Sequence, residues 1–168
     1  MLELETVQQD IEKWIQDFVE VPHPALGGWA PCPYARKARL DRDFEVRVGI
    51  NPFTDLIQIA RDGIKKSVVI IAYNPKDFDH AKFSRDLDIA NNDYLLPVNL
   101  LALEDHPDDK EIVNTVCMNQ GSYALALVQS LSDLNEKAQL VGKKAFYDTW
   151  PEKYLQTLFK HRIDPRQS

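Results

Sequence analysis

Leu4, Val7, Ile11, Trp14, Ile15 and Phe18 follow one another at intervals of three and four, while Glu12, Lys13 and Gln16 fall between them. That period puts the apolar side chains on one face of a helix over residues 3–20. Pro22 and Pro24 end it, because proline lacks the donor that the helical ladder needs. A loop through Gly27 and Gly28 follows, and residues 33–40 suit a short helix with Pro33 in its first turn. The period then changes. In FEVRVGI, Phe44, Val46 and Val48 alternate with Glu45 and Arg47, as in a strand with one buried face. Asn51 and Pro52 supply a cap and a first residue for a helix carrying Phe53, Leu56, Ile57, Ala60 and Ile64 on one side. SVVIIAY, residues 67–73, shows no polar alternation and reads as a central strand covered on both faces. A helix after Asn74 and Pro75, running to Asn92 with His80, Phe83, Leu87 and Ala90 in register, leads to a third apolar strand over residues 98–103.

Strand, helix, strand, helix, strand with short turns is the pattern of right-handed crossovers. It predicts a single α/β domain over residues 1–168, with a small, mostly parallel sheet of three to four strands and flanking helices. Thioredoxin-like and ferredoxin-like sheets are the alternatives. SYALALVQS alternates like a strand but consists largely of Ala and Leu, which favour helix. The region 122–162 is therefore predicted to be helical, with a helix from Ser132 to Tyr147 and another opened by Pro151 in PEKYLQTLFKHR. The closing IDPRQS reads as frayed.

Composition narrows the class. A hydrophobic fraction of 44% with 27% charged residues belongs to an ordinary globular chain that can bury a core. The longest apolar runs, SVVIIAY and YLLPVNLLAL, are too short to cross a bilayer, and the acidic amino terminus lacks the basic and apolar regions of a signal peptide. The expectation is a cytoplasmic protein without a membrane partner. A net charge of −6 opposes binding to a polyphosphate backbone, so no nucleic-acid partner is expected. Cys32 and Cys117 lie far apart and suggest no disulfide framework. The sequence names no cofactor and sets no oligomeric state.

The candidate chemistry begins at Cys32. With a helix opening at Pro33, the thiol takes the N-cap, beside unpaired backbone N–H groups and the positive helix end. Arg36, Lys37, Arg39 and Arg42 follow within about two turns. That setting predicts a stabilised thiolate, with Arg36 and Arg39 as anion-binding groups and Trp29 as a wall of the pocket. The competing reading is a small residue filling space under the loop, beside a solvated basic face.

His106, in EDHPDD directly after the third apolar strand, sits where open α/β sheets gather their ligand sites. It is the candidate general base, with Asp105 or Asp108 orienting its ring; the alternative is an acidic turn shaped by Asp and Pro. No metal site is predicted. His23, Cys32, His106 and Cys117 lack the close spacing of structural zinc ligands, and residues 104–111 lack the ordered pattern of a calcium loop. His80 reads as a boundary residue of its helix and His161 as a partner for a negative helix end. P-loop, G-x-G-x-x-G, G-x-S-x-G and H-E-x-x-H motifs are absent.

CPYA, residues 32–35, resembles the C-P-Y-C site of glutaredoxins with Ala35 in place of the second cysteine. In glutaredoxins the motif directly follows the first strand, whereas here a helix and a Pro-Gly loop precede it and the first strand comes afterwards. Without a thiol at Ala35, dithiol exchange within the motif is excluded. Over most of the chain the sequence resembles an uncharacterised bacterial family with a Cys-Pro-Phe/Tyr-Ala motif. The matching segments are WI at 14–15, CPYARKAR at 32–39, HPDD at 106–109 and NQGSY at 119–123. The Tyr-Gln-Phe stretch associated with the position after His-Pro-Asp is missing. The resemblance implies a site uniting these segments, which adds Tyr34, Asn119, Ser122 and Tyr123 to the pocket, and it carries no established activity. The functional expectation is a pocket in which a Cys32 thiolate and Arg36 meet an anionic small molecule while His106 moves a proton. The competing expectation is a non-enzymatic binding or assembly protein whose Cys-Pro-Tyr turn locks the amino-terminal helix onto the sheet.

Overall fold

The structure, a computed structural model, describes residues 1–167. Helix α1, Leu4–Trp14, buries Val7 and Ile11 and continues as a wider π turn over Ile15–Val19, which realises the predicted amino-terminal helix. A six-residue helix α2, Ala35–Leu40, precedes strand β1, Phe44–Val48. Helix α3, Pro52–Asp62, opens as its sequence predicts, with the Asn51 side chain accepting the backbone N–H of Thr54 at 3.1 Å. Strand β2, Val68–Tyr73, helix α4, His80–Ala90, and strand β3, Leu100–Asp105, follow. A small hairpin of β4, Ile112–Val113, and β5, Val116–Cys117, leads to β6, Ala124–Ser130, and the chain ends with α5, Leu131–Gly142, and α6, Glu152–Leu158.

The result is a single α/β domain built on a four-stranded sheet in the order β1-β2-β6-β3. The sheet is mixed rather than mostly parallel: β1 and β2 run parallel, while β6 is antiparallel to both β2 and β3. The three strands read from the sequence do share one direction. The crossover through α4, however, leaves a gap beside β2, and β6 fills it in the opposite sense. The element order around the sheet, β-α-β-α-β-β-α, is also not the β-α-β-β-α-β of a ferredoxin-like domain.

The predicted helix over 122–130 is thus a central strand. Its alternation outweighs its composition: Ala124, Ala126 and Val128 join the core beneath α3 and α4, and Leu125 faces the opposite side with Ile11 and Ile70. Hydrogen bonding on both edges fixes it as strand, and alanines on one face let the covering helices approach closely. β2 is divided the same way, with Val69, Ile71 and Tyr73 on the α3 and α4 side and Ile70 and Ala72 on the α1 side.

Local boundaries also move. α4 begins at His80 because Asp79, not Asn74, caps it by accepting the Lys82 N–H at 2.9 Å. α5 is capped by Ser130 and stops at Gly142, and the left-handed Ala145 (φ 67°) ends any continuation towards Tyr147. Residues Pro165–Gln167 form a short 3-10 turn where fraying was expected, and Ser168 lies outside the described residues. A separate apolar cluster joins α5, α6 and the hairpin through Val113, Phe146, Tyr147, Trp150 and Phe159. Among the described residues no helix is long and apolar enough to cross a membrane.

Candidate functional site

On the α1 side of the sheet two cavities lie on either side of Trp14 and Leu127, which line both. The first, about 430 Å³, is walled by Ile15, Val19, Val68 and Ile70 and carries Cys32, Tyr34, Arg39 and Lys137 at its polar end. The second, about 340 Å³, runs along β3 and is bordered by Glu104, Asp105, Asp109, Glu111 and His161.

Cys32 does not cap a helix. Its carbonyl accepts the Ala35 N–H at 3.2 Å in a turn through Pro33, and Tyr34 takes the cap position of α2. The Cys32 N–H donates to the carbonyl of Val19 at 3.0 Å, so the turn is tied to the end of the amino-terminal helix. The residue keeps surface open to solvent, but the protein crowded around its sulfur pushes the thiol pKa up. Backbone N–H groups of Tyr34 and Ala35 and the charges of Lys137 and Arg162 pull the other way and are outweighed. The expected lowered pKa is therefore reversed.

The predicted anion-binding arginines are engaged or elsewhere. Arg39 makes a two-pronged ion pair with Glu20, with both contacts at 2.7 Å, and this bond is the main reason the Glu20 carboxyl titrates below its usual range. Arg36 does not line the cavity, and its charge acts on Glu20 as well. Lys37 pairs with Asp41 at 2.5 Å. Asp43 accepts both the N–H and the hydroxyl of Ser67, which holds its carboxyl below the usual range. Lys137 is different: its ammonium sits 5.3 Å over the Tyr34 ring and has no carboxylate partner among the described residues. Its position on α5, in a segment without a motif, gave no signal in the sequence.

Both ring nitrogens of His106, the expected general base, are engaged by backbone groups. Its side chain is 0% exposed, Nε2 lies 2.8 Å from the Phe78 carbonyl, and Nδ1 accepts the Asp108 N–H at 3.1 Å. The Asp108 carboxylate is 75% exposed and stands 4.0 Å from Nδ1, so the backbone of Asp108 rather than its acid orients the ring. His106 borders neither of these two cavities, and Cys32 lines only the first of them.

The motif segments meet in two pairs: WI and CPYARKAR share the first cavity, and NQGSY bonds the HPDD loop. Asn119 donates through Nδ2 to Asp105 at 2.7 Å, to the His106 carbonyl at 3.0 Å and to the Asp109 carbonyl at 3.1 Å, and it accepts the Glu111 N–H at 2.7 Å. This knot closes the loop after β3. Ser122 and Tyr123 lie outside it: both donate backbone N–H groups to Gln120, and the Tyr123 hydroxyl bonds Asp10 at 2.5 Å. Trp29 packs edge-on against Phe146, 5.4 Å between centroids, in the carboxyl-terminal cluster and walls neither cavity.

The second cavity gathers acids. Burial pushes the carboxyls of Glu104 and Asp105 up, and it raises Glu111 to about 7 with help from Asp105, Asp109 and Glu104. Tyr154 reaches Glu111 at 3.4 Å and is pushed up by burial and by that carboxylate. No family model, curated protein or solved structure matches this chain.

Proposed function

We propose that the protein binds a small amphipathic anion in the cavity beside Cys32. The apolar body lies against Ile15, Val19, Ile70 and Leu127, and the carboxylate or phosphate meets Lys137. The observation that carries this reading is the ammonium of Lys137, which makes no ion pair among the described residues and lines a cavity whose surface is mainly apolar. Of the cations lining that cavity, Lys37 and Arg39 are already neutralised by Asp41 and Glu20. A volume of about 430 Å³ falls in the range of small-molecule sites, in which a few polar groups orient an apolar ligand. Cys32 serves as a protonated wall rather than a nucleophile. Its hydrogen bond to Val19 favours a structural part for the Cys-Pro-Tyr turn, as the binding-protein reading expects.

The test compares decanoate, below its aggregation concentration, with the neutral decanol by calorimetric titration. Decanoate is expected to bind more tightly by about tenfold, the scale of one charge-assisted contact. Lys137→Met should erase that preference, and Cys32→Ser should leave it in place. Absence of saturable binding, or an undiminished preference in Lys137→Met, would overturn the reading.

A further inference from the structure

We propose that Nε2 of His80 and the carboxylates of Glu104 and Asp109 form a three-ligand site for a divalent first-row transition-metal ion, opening onto the cavity along β3. His80 Nε2 stands 3.3 Å from Asp109 Oδ2 and 3.7 Å from Glu104 Oε1, and one ligand atom from each residue lies within 4.8 Å of the others. A metal held at about 2.1 Å by tetrahedral ligands separates them by about 3.4 Å, and both spacings from His80 are close to that value.

The three residues sit on well-held backbone. His80 is the first residue of α4, fixed by its Asp79 cap, and Glu104 is on β3, where Ser84 Oγ from the next turn of α4 donates to its Oε1 at 3.1 Å. Asp109 is held by the knot already described, since its N–H donates to the His106 carbonyl at 3.0 Å and Asn119 bonds its carbonyl. The His-Pro-Asp-Asp segment thus contributes Asp109 as the ligand and His106 as the post that fixes it. Such outer hydrogen bonds are what orient metal ligands.

Chemistry selects the class of ion. One imidazole with two carboxylates favours zinc, manganese or iron over calcium and magnesium, which take oxygen sets. Glu104 and Asp109 also line the cavity, as do Asp105 and Glu111, so a cation there offsets a concentration of negative charge that, among the described lining residues, only the ammonium of Lys160, paired with Asp88 at 3.5 Å, opposes. A second observation is independent of the carboxylates. The ring nitrogens His161 Nε2 and Trp14 Nε1 are buried without hydrogen-bond partners among the described residues, and both residues line this cavity. Polar atoms of a ligand seated beside the ion would meet them. Three protein ligands with an open position facing a cavity is the arrangement of a metal site that takes an exogenous ligand.

The experiment uses the full chain, freed of metal by a chelator and titrated with Zn²⁺ by calorimetry and with Co²⁺ by visible absorption. Saturable binding of one ion is expected, with a Co²⁺ spectrum free of sulfur charge-transfer absorption, which separates this site from Cys32 and Cys117. His80→Gln and Asp109→Asn, both at partly exposed positions, should each weaken Zn²⁺ binding by about tenfold or more while the metal-free melting temperature stays the same. Decanoate binding should be unchanged in both, because Lys137 lies in the other cavity. No saturable binding overturns the proposal, as does binding that survives both substitutions, or a thiolate spectrum abolished by Cys117→Ser.

Discussion

The imidazole of His106 is held between two backbone groups, with Nε2 at 2.8 Å from the carbonyl of Phe78 and Nδ1 at 3.1 Å from the N–H of Asp108. This places the proton on Nε2 and leaves neither nitrogen free to move one. His106→Ala removes a fully buried ring and orphans the Phe78 carbonyl, which should destabilise the fold by about 2–4 kcal/mol. Urea unfolding measures it. A loss below about 0.5 kcal/mol, the range of ordinary surface substitutions, would contradict the structural role.

Gly49 is set by its neighbour. A methyl group there would stand 2.1 Å from Cε1 of Tyr73, whose ring is buried and whose hydroxyl is fixed to Asp55 at 2.9 Å. The ring cannot swing aside without breaking that bond. Gly49→Ala should therefore cost about 1–3 kcal/mol, as overpacking does. In Gly49→Ala with Tyr73→Ala, the cost of the alanine should largely vanish; equal costs in both backgrounds would place the strain elsewhere.

Cys32 gives a prediction in alkaline solution. Its thiol is pushed up by burial, so iodoacetamide should modify it with an apparent pKa above the ordinary value of about 8.5. The folded state holds the proton more tightly than the unfolded chain. This contribution to stability is intact below the unfolded thiol pKa and is lost as pH rises through the folded one. Cys32→Ser should flatten that alkaline decline. Fast alkylation at neutral pH would count against the protonated wall.

The Glu20 and Arg39 pair acts at the other end of the scale. Glu20, with a side chain only 9% exposed, titrates below the usual 4.5 because Arg39 bonds its ionised form. Its contribution is present above the unfolded pKa and is lost as pH falls through the lower folded one. Acid unfolding curves of Arg39→Met should lose that part of their slope below about pH 4.5, with little difference from wild type in slope at neutral pH.

Much of the framework was legible because it is local. The stripe of α1, the Asn51–Pro52 start of α3 and the unbroken apolar run of β2 carry their own periods and caps. β6 was not, since Ala and Leu point to helix and only pairing on both edges decides otherwise. Cys32 lies ahead of a helix that starts at Ala35 rather than Pro33, and the backbone N–H groups and charges that favour its thiolate are outweighed by burial, which the sequence does not reveal. His80 precedes Glu104 and the neighbouring Asp109 by more than twenty positions and meets them only because α4 lies against β3 at the sheet edge. Read singly, each is an ordinary polar residue. Of the four segments expected to form one site, HPDD and NQGSY are bonded to each other, and Asn119 serves there as a brace for the loop.

The placement of β6 has a consequence for how the chain acquires its shape. β3 has no strand neighbour other than β6, and β2 has its second edge covered only by β6. As the polypeptide emerges during synthesis, residues 44–73 can pair early, but the edge of β3 that faces β6 must wait unmatched until Ala124–Ser130 arrives. Closing that long-range pairing is the slow step expected of non-local topologies. A nascent chain stalled before residue 124 would therefore leave open the two strand edges that β6 covers, and its tendency to self-associate should fall once β6 is added.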